Sequence, residues 1–329
     1  EDLKLLNSIM LMKMRADAGR VRLANLALTP RELSFPLPEI IVPAGVVLCV
    51  GLFIGFIFLK EMTNQRIRSA GDLAVISGAK ILGSIPDVDD DPTDIEDAEC
   101  AAKNDSESVI AESYRQVWST ISRMMQRKGH TSLLVASGLP GSGSTTAVSN
   151  LAIDAASSGL SVAVIDGNFR RPRLASVLGL KDDAPGLGDV LCGETAIEDV
   201  TMTSPVGGFT VISAGTPEHR IYSRFNDEAF DRFLASLRGT HSLILIDTAP
   251  AVAAGDAFTL ANRVDAIVMV VQANNEERGL IARLINQFSD MRGELMGILL
   301  NRPRMTAGGY FKKNYELMAS YSFDDEDEA

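Results

Sequence analysis

Cysteine, histidine and tryptophan are almost missing from this chain, whose 329 residues hold three cysteines, three histidines and one tryptophan. Cys49, Cys100 and Cys192 lie far apart with no paired metal-ligand spacing. That excludes a disulfide framework and a zinc site, and fits a reducing compartment. His130, His219 and His241 are equally scattered and read as surface or packing residues, so no metal site rests on histidine. An excess of positive charge is missing too: 31 Lys and Arg face 43 Asp and Glu, a formal charge of -12. This sets nucleic acid aside as the main partner, because such binders present a net basic face. The length exceeds one ordinary domain of about 100–200 residues, so additional segments are expected.

Charged and strongly polar side chains are absent from residues 40–59, IIVPAGVVLCVGLFIGFIFL. As a helix the stretch spans about 30 Å of hydrocarbon. Core helices rarely run so far without a polar face, and a transmembrane helix is expected. Its position after a long polar segment excludes a signal peptide. Gly51 and Gly55 form a small-xxx-small pair that lets another membrane helix approach. Positive charge does not orient the span, since Arg20, Arg22 and Arg31 before it balance Lys60, Arg66 and Arg68 after it. From Leu3 to about Leu28, Leu, Ile and Met recur at mixed three and four spacings, which predicts a helix. Pro30, Pro36, Pro38 and Pro43 then predict an extended approach to the bilayer. The chain opens at Glu1 inside the helical pattern, so an earlier part is expected to precede it.

Residues 87–107 carry ten acidic residues against the single Lys103, with few large apolar groups. Such a stretch is expected to be a flexible, solvated linker. Beyond it, short apolar runs at 132–136, 161–165, 209–213, 242–246, 266–271 and 296–300 alternate with helical stretches and read as strands. Continuous apolar strands separated by helices imply an α/β domain, a doubly wound, mainly parallel sheet covered on both faces. The expected organisation is 1–39 helical segment with proline-rich approach, 40–59 span, 60–107 juxtamembrane segment and acidic linker, 108–304 α/β domain, and 305–329 acidic tail.

The first of those strands runs into Ser137-Gly138-Leu139-Pro140-Gly141-Ser142-Gly143-Ser144-Thr145-Thr146, with a helix predicted from about Thr145. Glycines there let backbone N–H groups turn onto an anion, and a helix N-terminus adds partial positive charge. Against GxxxxGK[ST], Gly138 and Gly143 are the glycines, Thr145 is the magnesium-binding hydroxyl, and Ser144 fills the lysine position. Gly141, Ser142 and Thr146 complete the candidate phosphate cradle. Two later strands end in Asp166-Gly167-Asn168 and Asp247-Thr248-Ala249-Pro250. Carboxylates at the C-terminal tips of parallel strands face the crevice where ligands bind. Asp247 is expected to orient magnesium, and Asp166 to contact the metal or accept a proton; for either alone, a solvated turn is the competing reading. A nucleotide is available only inside the cell, which places residues after the span in the cytoplasm and those before it in the periplasm.

With these motifs in place, nearly the whole sequence resembles the bacterial tyrosine kinases fused to polysaccharide co-polymerases, which regulate chain length and export of exopolysaccharide or capsule. The span and Ile81-Leu82-Gly83-Ser84-Ile85-Pro86 look like that family's second membrane helix and post-membrane segment. Pro140–Thr145 resembles its Walker A loop, Ile165–Leu174 its Walker A' motif with trailing arginines, Ile246–Pro250 its Walker B, and Gly297–Asn301 the end of its last strand. Glu112 and Arg115 match its oligomer-forming helix, and Tyr310, Tyr315 and Tyr321 its phosphoacceptor tail. The resemblance thus implies a P-loop NTPase-type fold, ATP or ADP with Mg as cofactors, a homo-oligomer in the bacterial inner membrane, and partners in polysaccharide polymerisation and export. An active kinase or a phosphatase acting in trans is a further implied partner.

Three departures bear on activity. Ser144 replaces the lysine that pairs phosphate oxygens, Asn168 the second Walker A' aspartate, and Trp118 the second arginine of the oligomerisation motif. Phosphoryl transfer rests on positioning and charge stabilisation, so losses of this kind predict impaired catalysis. Three readings stay open. One is a regulatory, kinase-like subunit; another is a working autokinase in which Arg170 or Arg171 replaces the missing charge. The third is a cell-division or plasmid-partition type ATPase, against which Leu139 stands at that group's signature lysine position.

Overall fold

The computed structural model describes residues 2–17, 38–63, 65–78, 80–93, 95, 97–181 and 184–303. The chain divides into two units, Glu1–Asn64 and Gln65–Ala329. In the first, helix α1 covers Asp2–Asp17 and helix α2 Pro38–Thr63. From Glu39 to Thr63, α2 is long and apolar enough to cross a membrane, with a mean hydropathy of 2.8. The helix starts earlier than the prolines predict. Pro38 occupies the first helical position, where no intrahelical N–H bond is lost, and Pro43 forgoes a single bond in a long apolar helix.

The second unit is built on an eight-stranded sheet. Its strands are β1 (Ile81–Ile85), β2 (Ser132–Ser137), β3 (Val162–Asp166), β4 (Thr201–Thr203), β5 (Thr210–Ile212), β6 (Leu243–Asp247), β7 (Ala266–Gln272) and β8 (Glu294–Asn301). Their spatial order is β1-β8-β7-β2-β6-β3-β5-β4, and every pairing is parallel except β4 with β5. The six predicted strands are present, so the doubly wound expectation holds. The two edge strands, β1 and β4, were not predicted. In β4 the reason is plain, because it is three residues long and its positions are half-exposed or exposed.

Two short helices, α3 (Ala70–Ala74) and α4 (Ala101–Asn104), precede the longer α5 (Val109–Lys128) and α6 (Ser144–Ser157). Successive residues of one strand serve opposite cores, as the two-residue period requires. In β2, Leu133 and Val135 belong to one core, and Leu134 and Ala136 to the other. The first core is closed by α5 and α6, through Tyr114, Ile121, Val148 and Leu151. The other is closed by the helices Glu228–Arg238 and Arg278–Ser289, through Phe230, Phe233, Ile281 and Leu284. Central strands therefore read as unbroken apolar runs, and their polar C-terminal tips emerge along one edge.

The acidic stretch differs from its expectation as a solvated linker. It follows directly on strand β1 and supplies α4, and Cys100 and Ala101 are buried in the core beside α6. Composition averaged away the positions that matter. Val88, Ile95 and Ala102 pack against that core, while Asp91, Asp97 and Glu99 accept hydrogen bonds. Asp91 Oδ2 accepts the Ile110 N–H at 2.9 Å, next to the Ser108 cap of α5, and Asp97 accepts the Glu99 N–H. Nor does the domain begin at 108. Ile67 is fully buried and exchanges backbone bonds with the loop after β7, its N–H to Glu276 O at 2.9 Å and its carbonyl from Asn274 N–H at 2.7 Å.

Asn150 of α6 fastens the acidic stretch. Its Nδ2 donates to Ala98 O and Thr146 O, and its Oδ1 accepts the Ala102 N–H. Asn150→Ala is expected to lower stability by about 2–3 kcal/mol, because several buried partners lose their bonds together. The urea midpoint checks this, and hydrogen exchange at residues 98–104 should accelerate more than exchange in β2.

Candidate functional site

Strand β2 feeds directly into the glycine loop, and α6 leaves it at Ser144. Two glycines there have backbone conformations that favour no other residue, Gly141 at φ 80° and Gly143 at φ 93°. A Cβ on Gly143 would stand 2.3 Å from the Asn301 amide nitrogen. That amide donates to Ser142 O at 2.8 Å, so the tip of β8 holds the loop from one side.

A buried carboxyl holds it from below. The Ser142 hydroxyl lies within hydrogen-bond reach of the Leu139 carbonyl (2.8 Å) and of Glu276 Oε1. One hydroxyl hydrogen cannot serve both. Ser142 donates to the Glu276 carboxylate when that group is ionised, and when Glu276 is protonated it can donate to Ser142, freeing the hydroxyl hydrogen for Leu139. Burial pushes the Glu276 carboxyl up to about 7, in keeping with that protonation. Sequence reasoning missed this residue. Glu276 and Glu277 are adjacent acids in a polar loop, and only the fold buries the first and exposes the second.

The candidate cradle residues divide accordingly. Gly141, Gly143, Ser144, Thr145 and Thr146 line a cleft of about 410 Å³. Gly138 and Ser142 lie beneath it: a Cβ on Gly138 would meet Leu284 at 3.0 Å and Glu276 at 3.2 Å, and the Ser142 side chain is buried.

Asp166 and Asp247 come together because β3 and β6 run in parallel register, with these two residues paired at the strand tips. Thr145 Oγ1 donates to Asp247 Oδ2 at 2.6 Å, and the Thr248 N–H donates to Oδ1. Asp166 is turned onto its own loop. Its Oδ1 accepts the Asn168 N–H, and its Oδ2 the N–H groups of Arg173 and Leu174, each at 3.0 Å, capping helix α7 (Leu174–Val177). Both carboxyls are held above the usual carboxylate range, Asp166 by burial and then by the neighbouring Asp247, and Asp247 by burial. Hydrogen bonds from Thr145, Thr248 and Ser144 partly offset the rise at Asp247.

Among the described residues, no group of three or more His, Cys, Asp or Glu side chains converges as a metal site. The donor set that is present, one threonine hydroxyl beside one carboxylate under a loop of amides, suits a hard divalent cation that takes its remaining oxygens from phosphate and water. The residues therefore fit a magnesium nucleotide.

Four arginines surround the cleft. Arg170 Nε donates to the buried Asp256 at 3.1 Å, and its guanidinium sits 4.9 Å from the centre of the Tyr222 ring. Arg173 pairs with Glu99 at 2.7 Å. Arg171 and Arg302 also line the cleft. Glu112 and Arg115 form an ion pair with each other on the outward side of α5, whereas Trp118 is buried in the core. Tyr310, Tyr315 and Tyr321 lie outside the described residues.

A parallel sheet with a glycine loop after its central strand and acidic tips on two neighbouring strands defines a P-loop domain. No protein-family model matches the chain. Its homologues are bacterial tyrosine-protein kinases. It is 27% identical over 306 residues to the putative tyrosine-protein kinase EpsB of Ralstonia nicotianae, an alignment covering 90% of this chain and 41% of EpsB. The chain thus spans about two fifths of that relative's length. The tyrosine-protein kinase YwqD of Bacillus subtilis is 24% identical over 209 residues, 62% of this chain and 86% of its own. Among solved structures, the kinase domain of the Escherichia coli tyrosine kinase ETK superposes with a TM-score of 0.64 at 21% identity, over 70% of this chain and 93% of that one. The BceF tyrosine kinase domain gives 0.63 at 23%, over 73% and 100%. The domain has the fold of these kinase domains.

The raised Glu276 carboxyl makes stability depend on pH with a definite sign. Its folded value of about 7 lies above its ordinary 4.5, so its contribution is complete below about 4.5 and disappears as the pH rises through 7. Urea unfolding between about pH 5 and pH 8 should show the native chain losing on the order of 3 kcal/mol more than Glu276→Gln, which cannot ionise.

Proposed function

We propose that this chain is part of a membrane polysaccharide co-polymerase, a subunit that governs exopolysaccharide or capsule chain length and export through a nucleotide-binding domain of tyrosine-kinase type with impaired phosphoryl transfer. The kinase homologues and the P-loop fold support the class. The apolar helix Pro38–Thr63 supports membrane attachment, with the nucleotide domain in the cytoplasm and the preceding segment in the periplasm. Glu112 and Arg115 are then candidates for contact between subunits of a homo-oligomer, each exchanging its present partner for one across the interface. Tyr310, Tyr315 and Tyr321 are candidate acceptors for an active kinase acting in trans, reversed by a phosphatase.

ATP or ADP with magnesium is the ligand this reading requires, and bound magnesium supplies charge neutralisation at the phosphates. The chain's own groups perform the rest. Amides of Gly141–Thr146 cup the phosphates, Thr145 offers a hydroxyl to the cation, and Asp247 orients that hydroxyl and the cation's water. Asp166, with its oxygens committed to three backbone N–H groups, fixes the arginine-bearing loop after β3.

The observation that carries the impairment is Ser144. A neutral hydroxyl stands at the bottom of the cleft where a lysine would pair phosphate oxygens, and it bonds the neighbouring Asp247 instead. Removal of one such stabilising group costs about 10²–10³ in rate. A working autokinase is the second reading, favoured by the four arginines around the cleft. With radiolabelled ATP and the full chain in detergent, Ser144→Lys should raise tyrosine phosphorylation by about tenfold or more over the native chain. Equal and rapid labelling of both would establish the autokinase instead.

A further inference from the structure

The glycine loop itself carries no cation, since Ser144 is neutral, and the strand tips beside it carry the acids Asp166 and Asp247, the second of which feels the Arg173 charge. On the nucleotide reading, on which this inference rests, charge for the phosphates has to come from elsewhere, and the structure separates the four arginines by their commitments. Arg170 is held by Asp256 and by the Tyr222 ring, and Arg173 by Glu99. Among the described residues, the side chains of Arg171 and Arg302 have no hydrogen-bond or ion-pair partner, yet both line the cleft.

Their backbones are fixed although their side chains are not. Asn168 Oδ1 accepts the Arg171 N–H at 3.1 Å, so the residue that replaces an acid in the Walker A' motif holds this arginine's loop. Arg302 has φ 52°, a left-handed conformation costly for a residue with a Cβ. It is kept there by its N–H bond to Ile85 O at 2.9 Å and by the buried Pro303 that follows. The side chain is exposed and lines the cleft as well as a neighbouring hollow that holds Asp87, and its charge reaches the buried Tyr114 hydroxyl.

Sheet order puts the two on opposite sides. The loop leaves β2, with β8 two strands away on one flank and β3 two strands away on the other. Arg302 follows Asn301, which bonds the loop from the β8 side, and Arg171 lies in the segment after β3 on the other side, so two long side chains can converge on an anion seated between them. Guanidinium groups suit this, because their forked donors match phosphate oxygens in pairs.

We propose that Arg171 and Arg302 together supply the phosphate-directed positive charge that Ser144 lacks, so that the cation of this site has moved from the loop to its two rims. Calorimetric titration of the full chain in detergent with ADP and magnesium tests it. Arg171→Ala/Arg302→Ala should weaken binding roughly tenfold or more and flatten its salt dependence. Arg170→Ala/Arg173→Ala, which removes the committed pair, should weaken it less. Ser144→Lys should gain several-fold more affinity in the Arg171→Ala/Arg302→Ala background than in the native chain, a non-additivity that a structural role would not produce. Native affinity in Arg171→Ala/Arg302→Ala, or failure of the lysine to rescue it, overturns the proposal while the nucleotide reading stands. If the native chain fails to bind ADP at millimolar concentration, the nucleotide reading falls and this inference with it. Thermal unfolding of each variant shows whether a loss of binding reflects a loss of fold.

Discussion

A chain of hydrogen bonds from the Glu276 carboxyl through the Ser142 hydroxyl to the Leu139 carbonyl, joined by the Asn301 amide on Ser142 O, keeps the glycine loop open. A loop with two left-handed glycines has little intrinsic preference for one shape. Without fixed partners below it, the loop would sample several shapes. Two features of the fold provide those partners: β8 ends beside the loop, and the turn after β7 passes under it. The same turn takes backbone bonds from Ile67, so the first residues of the α/β unit are in direct contact with the support of the phosphate loop.

The acidic pair shows how geometry assigns different work to similar residues. Asp166 and Asp247 occupy equivalent positions on neighbouring parallel strands. Asp247 receives a threonine hydroxyl from the loop, which ties it to the glycine loop, whereas Asp166 receives three amides and organises the turn that carries Arg170, Arg171 and Arg173. Burial beside each other raises both, so a bound cation would stabilise the ionised forms that burial disfavours. The arginines divide in the same way, two tied by Asp256 and Glu99 and two presented to the cleft.

Much of this is legible in the order of residues along the chain. Continuous apolar runs bounded by helices give a parallel sheet, because only strands covered on both faces can be apolar throughout. Gly141, Gly143, Thr145, Asp166 and Asp247 are legible as candidate site residues because their spacing is tied to strand ends. Harder to read are residues whose role depends on a partner distant in sequence. Glu276 meets Ser142 across 134 positions, and Asp256 meets Arg170 across 86. The acidic stretch misleads for a related reason: its net charge suggests solvation, but Cys100 and Ala101 find a groove beside α6 that exists only after the sheet has formed.

Sequence alone determined the apolar helix, the strand pattern, the glycine loop and the absence of its lysine, since each depends on the identity of neighbouring residues and on local periodicity. Tertiary structure decided which of two adjacent glutamates is buried, which of four arginines are already paired, and which of two aspartates faces the loop. Those are questions of distance between separate segments, and the order of strands in the sheet, which no local pattern encodes, sets those distances.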